Sequence, residues 1–177
     1  MDRRLQRLYW ITTSEIQACN MGRAVPDFRV ANIAHMLLDC AGKDIDHEYT
    51  RGHETICRPI QLHITKDAEA NEQCPYKAEP CKESNRDGVL YRVARIGDDK
   101  EVLIVSCKSD HECTGKAMDQ LRAYMNFAEC PAGLLLSQRR AFFFFQGKDD
   151  DEGIQPGPQF SDISKHVPEI ADIIRGL

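Results

Sequence analysis

The stretch that decides the fold is GVLYRVARI (residues 88–96), followed by the turn GDDK (97–100) and by VLIVSCK (102–108). β-branched and aromatic residues are frequent in both apolar segments, and a short turn rich in glycine and aspartate between two such segments is typical of a β-hairpin. The almost continuous apolar run 102–105 is typical of a strand that is buried on both faces. We therefore predict a hairpin whose second strand lies inside a sheet.

The residues after this hairpin predict one helix and two more strands. Apolar side chains recur at helical spacing from Ala117 to Ala128, and Pro131 ends the helix. The segments AGLLL (132–136) and AFFFF (141–145) predict two strands around a polar turn. Successive residues of a strand point to opposite faces, so the four phenylalanines favour core packing over a base-stacking platform.

The residues before the hairpin predict a helix and a strand. Residues 27–41 carry apolar side chains at helical spacing, and Gly42 follows directly after them. Residues 60–64 alternate apolar and polar side chains, and Pro59 confines the predicted strand to the residues that follow it. The predicted order is helix, three strands, helix, two strands.

The remaining segments are expected to form connections and a terminal helix of a single domain that spans residues 1–177. Residues 1–24 predict a short peripheral helix. A polar insertion is expected over 66–86 and an acidic loop over 147–160, because both contain proline and few large apolar side chains. Residues 162–175 predict the last helix.

The composition is that of a folded globular protein, with 42% hydrophobic and 29% charged residues. We find no signal peptide and no transmembrane segment in the sequence, so a cytoplasmic or nuclear protein is expected, with no membrane partner. In those compartments the eight cysteines would be thiols or metal ligands rather than disulfides.

The net charge of −5 argues against a broad cationic surface for nucleic acid. A local basic strip is still expected, because residues 86–140 contain many lysines and arginines, while many of the aspartates and glutamates lie outside this segment. This strip would comprise Arg86, Arg92, Arg95, Lys108, Lys116, Arg122, Arg139 and Arg140.

The segments RDGVLY (86–91) and VLIVSCKS (102–109) resemble the second and third strands of the PD-(D/E)XK nuclease superfamily. Gln120 and Tyr124 resemble the Gln-x-x-x-Tyr helix of several members. Residues 131–145 are similar to the segment after that helix in the nuclease domains of type I restriction enzymes. The resemblance implies an α/β fold with a restriction-endonuclease-like αβββαβ core, in which helices flank a central mixed sheet.

The resemblance also implies a role for each matched residue. Asp87 would bind Mg²⁺ or Mn²⁺ at the start of one strand, and Lys108 at the end of the next would stabilise negative charge on a phosphate. Residues i and i+2 of a strand point to the same face, so a hairpin can bring such side chains together. Gln120 and Tyr124 would support this site from the following helix.

Ser106 occupies the position of the second acid of the motif, and a serine hydroxyl is a weak neutral ligand for these cations. Glu54, before the first strand, is the candidate replacement as a metal ligand. The first hypothesis is therefore a metal-dependent nuclease that acts on DNA, or alternatively on RNA. The second is a catalytically degenerate domain that binds nucleic acid or serves in protein assembly, with a homodimer as one candidate assembly.

A third hypothesis is a zinc-stapled interaction domain. His53, Cys57, Cys74 and Cys81 have the side chains of a structural zinc site. Their spacing is looser than that of paired CxxC knuckles, so unpaired thiols beside a polar loop are the competing interpretation.

Overall fold

The computed structural model describes residues 3–21, 27–43, 55–59, 62–66, 76–80, 89–95, 98, 100–148 and 152–177. These residues form four α-helices, one 3₁₀ helix and eight strands. In chain order they are α1 (Arg3–Cys19), α2 (Asp27–Cys40), β1 (Thr55–Pro59), β2 (Leu62–Lys66), β3 (Tyr76–Pro80), β4 (Val89–Arg95), β5 (Glu101–Cys107), α3 (Gly115–Phe127), β6 (Ala132–Leu136), β7 (Ala141–Gln146), β8 (Ile154–Phe160), the 3₁₀ helix Ile163–Lys165 and α4 (Val167–Arg175).

Six of the described strands form a mixed sheet in the order β1-β4-β5-β6-β7-β8. Its neighbouring strands are antiparallel except for β5 and β6, which are parallel because the chain crosses over through α3 between them. Strands β2 and β3 form a separate antiparallel pair beside α3. The predicted α/β class, with helices flanking a central mixed sheet, is confirmed.

The two faces of the sheet are covered by different helices. On one face Leu103 and Val105 of β5 belong to a core that includes residues of α1, α2 and α4. On the other face Ile104 belongs to a core with residues of α3. β5 is therefore buried on both faces, as its continuous apolar run predicts.

The phenylalanine run of β7 contributes to both cores. Phe143 lies in the core on the α2 side and Phe144 in the core on the α3 side, and both are buried. Phe145 stacks on Phe143, with ring centroids 6.2 Å apart. The prediction of core packing rather than a base-stacking platform is confirmed.

At Gly133 of β6, side chains of α3 pack closely against the sheet. A Cβ atom at this position would collide with the Sδ atom of Met125 and would lie 3.2 Å from Leu121 Cδ1. We expect Gly133→Ala to lower the free energy of unfolding by about 1–2 kcal/mol. This lies in the lower part of the range for substitutions that overfill a core, because the flexible Met125 side chain can partly move aside. Urea unfolding of both proteins measures this, and an unchanged midpoint would show that α3 is loosely packed here.

Helix α1 is longer and more deeply packed than the sequence predicts. Its buried residues Thr12, Ile16 and Cys19 recur at helical spacing, and Ile16 and Cys19 belong to the core beside α2 and α4. The prediction of a short peripheral helix is wrong. The buried face of α1 includes threonine and cysteine, so its hydrophobicity differs little from that of the exposed face and the sequence pattern is weak.

Three strands contradict the predicted connections. The strand predicted after Pro59 is present as β2, but an additional strand, β1, ends at Pro59 and is the one that joins the main sheet. β3 lies inside the predicted insertion, and β8 contains Pro156 and Pro158 inside the predicted acidic loop. β1 and β8 are the two edges of the main sheet. An edge strand tolerates proline because one side of its backbone needs no partner strand.

Among the described residues, no helix is both long and apolar enough to cross a membrane.

Candidate functional site

The carboxyl-terminal ends of the two parallel strands, β5 and β6, lie side by side. They are on the border of the sheet that is formed by strand ends, not on the border formed by the edge strands β1 or β8. Cys107 of β5 is in register with Leu136 of β6, and the Lys108 N–H donates to the Leu136 carbonyl at 2.9 Å. β4 begins at this edge, because Val89 pairs with Cys107. We call this region, with residues 108–113 after β5 and 137–140 after β6, the Lys108 edge. The carboxyl ends of parallel strands are the usual location of ligand sites in α/β sheets.

Ser106 lies on the α3 side of this edge, and a continued alternation would assign Lys108, two residues later, to the same side. The alternation of β5 puts Ser106 on the same face as Ile104, which packs in the α3 core. Ser106 is only 2% exposed, whereas Lys108, directly after the strand, is half-buried. The backbone of Leu90 lies opposite Ser106 in the β4–β5 ladder.

Gln120 and Tyr124 lie one helical turn apart on α3, on the same side of the sheet as Ser106. Tyr124 is buried in the α3 core and Gln120 is half-buried. The helix that the resemblance assigns to the support of the site therefore lies on the face that it requires.

Asp87 lies outside the described residues, two positions before Val89. Because Val89 opens β4 opposite Cys107, the described strand begins at the Lys108 edge. The predicted pairing of the two strands is thus confirmed, while the position of the Asp87 side chain stays a prediction.

Glu54 also lies outside the described residues, but its neighbour Thr55 pairs with Arg95, at the opposite end of β4 from Val89. These two ends are six residue steps apart along the strand, which corresponds to about 20 Å. The expectation that Glu54 and Asp87 share one metal ion conflicts with this register. The strand that follows Glu54 runs antiparallel to β4, and it begins at the wrong end of the sheet for this role.

A hydrogen-bonded network joins the two loops of the Lys108 edge. The buried Ser137 hydroxyl donates to Asp110 Oδ1 at 2.7 Å, and Arg140 Nε donates to the same oxygen at 3.1 Å. Arg140 also donates to the Asp110 carbonyl, and the Arg140 N–H donates to Ser137 Oγ at 2.9 Å. We call Asp110, Ser137 and Arg140 the edge clamp. The sequence gives no motif for it, because Asp110 lies 27 residues before Ser137 and 30 before Arg140.

Half of the predicted basic strip is paired with carboxylates. Four of its arginines form ion pairs, which are Arg92–Glu101 at 3.3 Å, Arg95–Asp98 at 3.4 Å, Arg122–Asp119 at 2.9 Å and Arg140–Asp110 at 3.1 Å. In contrast, the side chains of Lys116 and Arg139 are exposed and form no hydrogen bond or ion pair with another described residue. Arg86 lies outside the described residues.

A carboxylate lies beside Lys108 in the loop that follows it. The Ser109 hydroxyl donates to Glu112 Oε2 at 2.5 Å and lowers the pKa of Glu112, and the Lys108 charge lowers it further. Glu112 therefore stays ionised at neutral pH and reduces the net positive charge of this loop.

The described side chains do not fit a Mg²⁺ or Mn²⁺ centre at this edge. These ions need several oxygen ligands, including carboxylates, and the described residue at the position where the resemblance would require an acid is the buried, neutral Ser106. No group of three or more His, Cys, Asp or Glu side chains in the described ranges could hold a metal ion.

The proposed zinc ligands His53, Cys74 and Cys81 lie outside the described residues, as does the side chain of Cys57 in β1. The other cysteines, Cys19, Cys40, Cys107, Cys113 and Cys130, are buried free thiols. Burial raises the pKa of Cys113, at the Lys108 edge, to about 11, so this thiol is neutral at physiological pH.

Comparison of the chain with models of protein families, with curated proteins and with solved structures gives no match. An inference of function therefore rests on the geometry and charges of the Lys108 edge.

Proposed function

We propose that this chain is a PD-(D/E)XK-like domain that binds nucleic acid at the Lys108 edge and has lost the catalytic metal of that superfamily. The observation that carries the proposal is the pair of residues at the end of β5, where Lys108 is retained and the buried Ser106 stands in place of an acid.

The connectivity supports the assignment to this fold. The elements α2, β1, β4, β5, α3 and β6 follow the order αβββαβ. Their four strands are neighbours in that sequence, with two antiparallel pairings and then a parallel one. This order and these pairings are compatible with the core that the resemblance implies, and under this proposal β2–β3 would be an insertion and β7–β8 an extension of the sheet.

The charges support loss of the metal rather than loss of phosphate binding. A neutral hydroxyl at position 106 removes one formal charge that would hold Mg²⁺ or Mn²⁺, and the register of β1 argues against Glu54 as a substitute. The half-buried Lys108 and the exposed Arg139 nevertheless belong to adjoining loops of one edge, and cations of this kind are the usual contacts of a phosphate.

A metal-dependent nuclease is the second candidate, and the pairing of Val89 with Cys107 favours it because β4 begins beside Lys108. It would use Asp87 and Lys108, with support from Gln120 and Tyr124. Tyr91 contacts His35 of α2, so an uninterrupted alternation would carry Asp87 to the α2 side, away from Lys108. This candidate therefore requires a backbone irregularity at Gly88, a residue type that permits one.

Two assays on the same protein distinguish the candidates. We expect the wild type to bind a fluorescein-labelled 20-base-pair DNA duplex in EDTA, with about tenfold weaker binding for Lys108→Ala, because a lysine–phosphate contact is lost. We expect no cleavage of that duplex in Mn²⁺. The matched control is Lys165→Ala, which removes a 75% exposed lysine from the 3₁₀ helix.

Cleavage that requires Mn²⁺ and disappears in Asp87→Ala would replace the proposed function by the nuclease. Absence of binding by the wild type would refute both the proposed binding and its assignment to the Lys108 edge.

A further inference from the structure

Two adjacent arginines of the β6–β7 turn have different surroundings. Arg140 is neutralised by Asp110, and its guanidinium lies over the Phe142 ring, 5.9 Å from the centroid. The Arg139 side chain is exposed and forms no hydrogen bond or ion pair with any described residue. One guanidinium is therefore paired within the protein, whereas its neighbour faces solvent.

The backbone of Arg139 is fixed although its side chain is exposed. Its N–H donates to Ser137 Oγ at 3.3 Å, and its carbonyl accepts from the Ile163 N–H at 2.8 Å. Ser137 closes the turn, since its own N–H donates to the Arg140 carbonyl at 2.9 Å. A held backbone limits the conformational entropy that is lost when the side chain engages a ligand.

The edge clamp also determines where this turn lies. Asp110, two residues after Lys108, binds both Ser137 and Arg140, so the loop that carries Lys108 is joined to the turn that carries Arg139. The Lys108 N–H bond to Leu136 ties the same two segments at their bases.

We infer that Arg139 is a phosphate-binding residue of the Lys108 edge, and that Arg140 is a positioning residue that holds the turn through the edge clamp. The ligand is a phosphodiester of a nucleic acid. A guanidinium offers paired N–H donors that match two phosphate oxygens. The inference rests on the proposed function, because it assigns a contact within the same binding surface.

The experiment measures how binding to the labelled 20-base-pair duplex depends on salt, by fluorescence anisotropy in EDTA. The salt concentration is varied from about 50 to about 200 mM, because counterion release makes the affinity fall steeply in this range. Arg139→Ala is expected to bind about tenfold more weakly at the lower salt concentration. Its slope of log K against log salt should be less steep by about 0.9, the value for one lost phosphate contact. A change that acts only through stability would leave this slope unaltered.

The matched control is Arg95→Ala, which removes the same charge at the opposite end of β4, where Arg95 pairs with Asp98. This variant is expected to keep both the affinity, within about twofold, and the slope of the wild type. Equal slopes for Arg139→Ala and the wild type, with normal wild-type binding, would overturn the role of Arg139 and leave the proposed function standing. A wild type that does not bind the duplex would overturn both.

A shallower slope in Arg139→Ala together with Mn²⁺-dependent cleavage by the wild type would support the phosphate contact and reject the loss of catalysis. The anisotropy measurement in EDTA is independent of cleavage, so the two conclusions fail separately.

Discussion

Ser137→Ala is expected to lower the free energy of unfolding by about 3 kcal/mol, because its hydroxyl joins two loops in a fully buried position. The substitution removes the bond to Asp110 and leaves the backbone N–H groups of Arg139 and Arg140 without their acceptor. Each buried polar group that loses its partner costs about 1–3 kcal/mol, and bonds to a carboxylate lie toward the upper end. Urea unfolding monitored by circular dichroism measures the loss.

Two variants make this test specific. Asp110→Asn keeps an oxygen that can accept from Ser137 but removes the ion pair with the partly exposed Arg140, so a smaller loss of about 1 kcal/mol is expected. Ser161→Ala changes an exposed serine and should alter stability by less than about 0.5 kcal/mol. If Ser137→Ala were as stable as Ser161→Ala, the edge clamp would not hold the two loops together.

The central part of the fold could be predicted because each element there has one dominant local signal. The hairpin of β4 and β5 combines two β-rich segments with a Gly/Asp turn, and α3 has a clear apolar stripe that ends before Pro131. Burial on both faces of β5 follows from its continuous apolar run. These signals agree with the tertiary structure, so no long-range information was needed.

The peripheral strands could not be predicted because their position in the sheet decides what proline does to them. Pro59, Pro156 and Pro158 argue against strands by local rules, yet β1 and β8 are edge strands, where a missing N–H need not break a ladder. Edge position is a property of the assembled sheet. The segment QPGPQ therefore has the composition of a loop although it pairs with β7.

Some residues of the candidate site could likewise be predicted from local sequence, and others could not. Ser106 and Lys108 could be recognised from their spacing in one strand, and Gln120 and Tyr124 from their spacing in one helix. Asp110 and Ser137 could not, because their contact depends on the parallel pairing of β5 with β6. The register of β1, which puts Thr55 opposite Arg95 at the far end of β4 from Val89, is likewise a consequence of strand pairing.

Ser106→Asp is expected to create a response to Mn²⁺ that the wild type lacks. Position 106 is 2% exposed, so a new carboxylate there would lose stability through desolvation in the absence of a cation. With the backbone irregularity at Gly88 that would bring Asp87 to the α3 side, a cation held jointly by this introduced carboxylate and by Asp87 would offset that cost and stabilise the folded state by about 2.7 kcal/mol when its concentration is 100 times the dissociation constant. The melting temperature of the variant should therefore rise with Mn²⁺ concentration, and cleavage of the DNA duplex should appear.

Ser106→Asn is the matched control, because asparagine has nearly the volume of aspartate and no charge. A response to Mn²⁺ that is equal in Ser106→Asp and Ser106→Asn would exclude a cation site at position 106. A response that persists when Asp87→Ala is added to Ser106→Asp would exclude Asp87 as the second ligand. Because an uninterrupted strand would carry Asp87 toward α2, the double variant also tests whether the chain turns at Gly88. If stabilisation by Mn²⁺ requires both the carboxylate introduced at position 106 and that of Asp87, then the serine at position 106 is what prevents the wild-type domain from binding the metal.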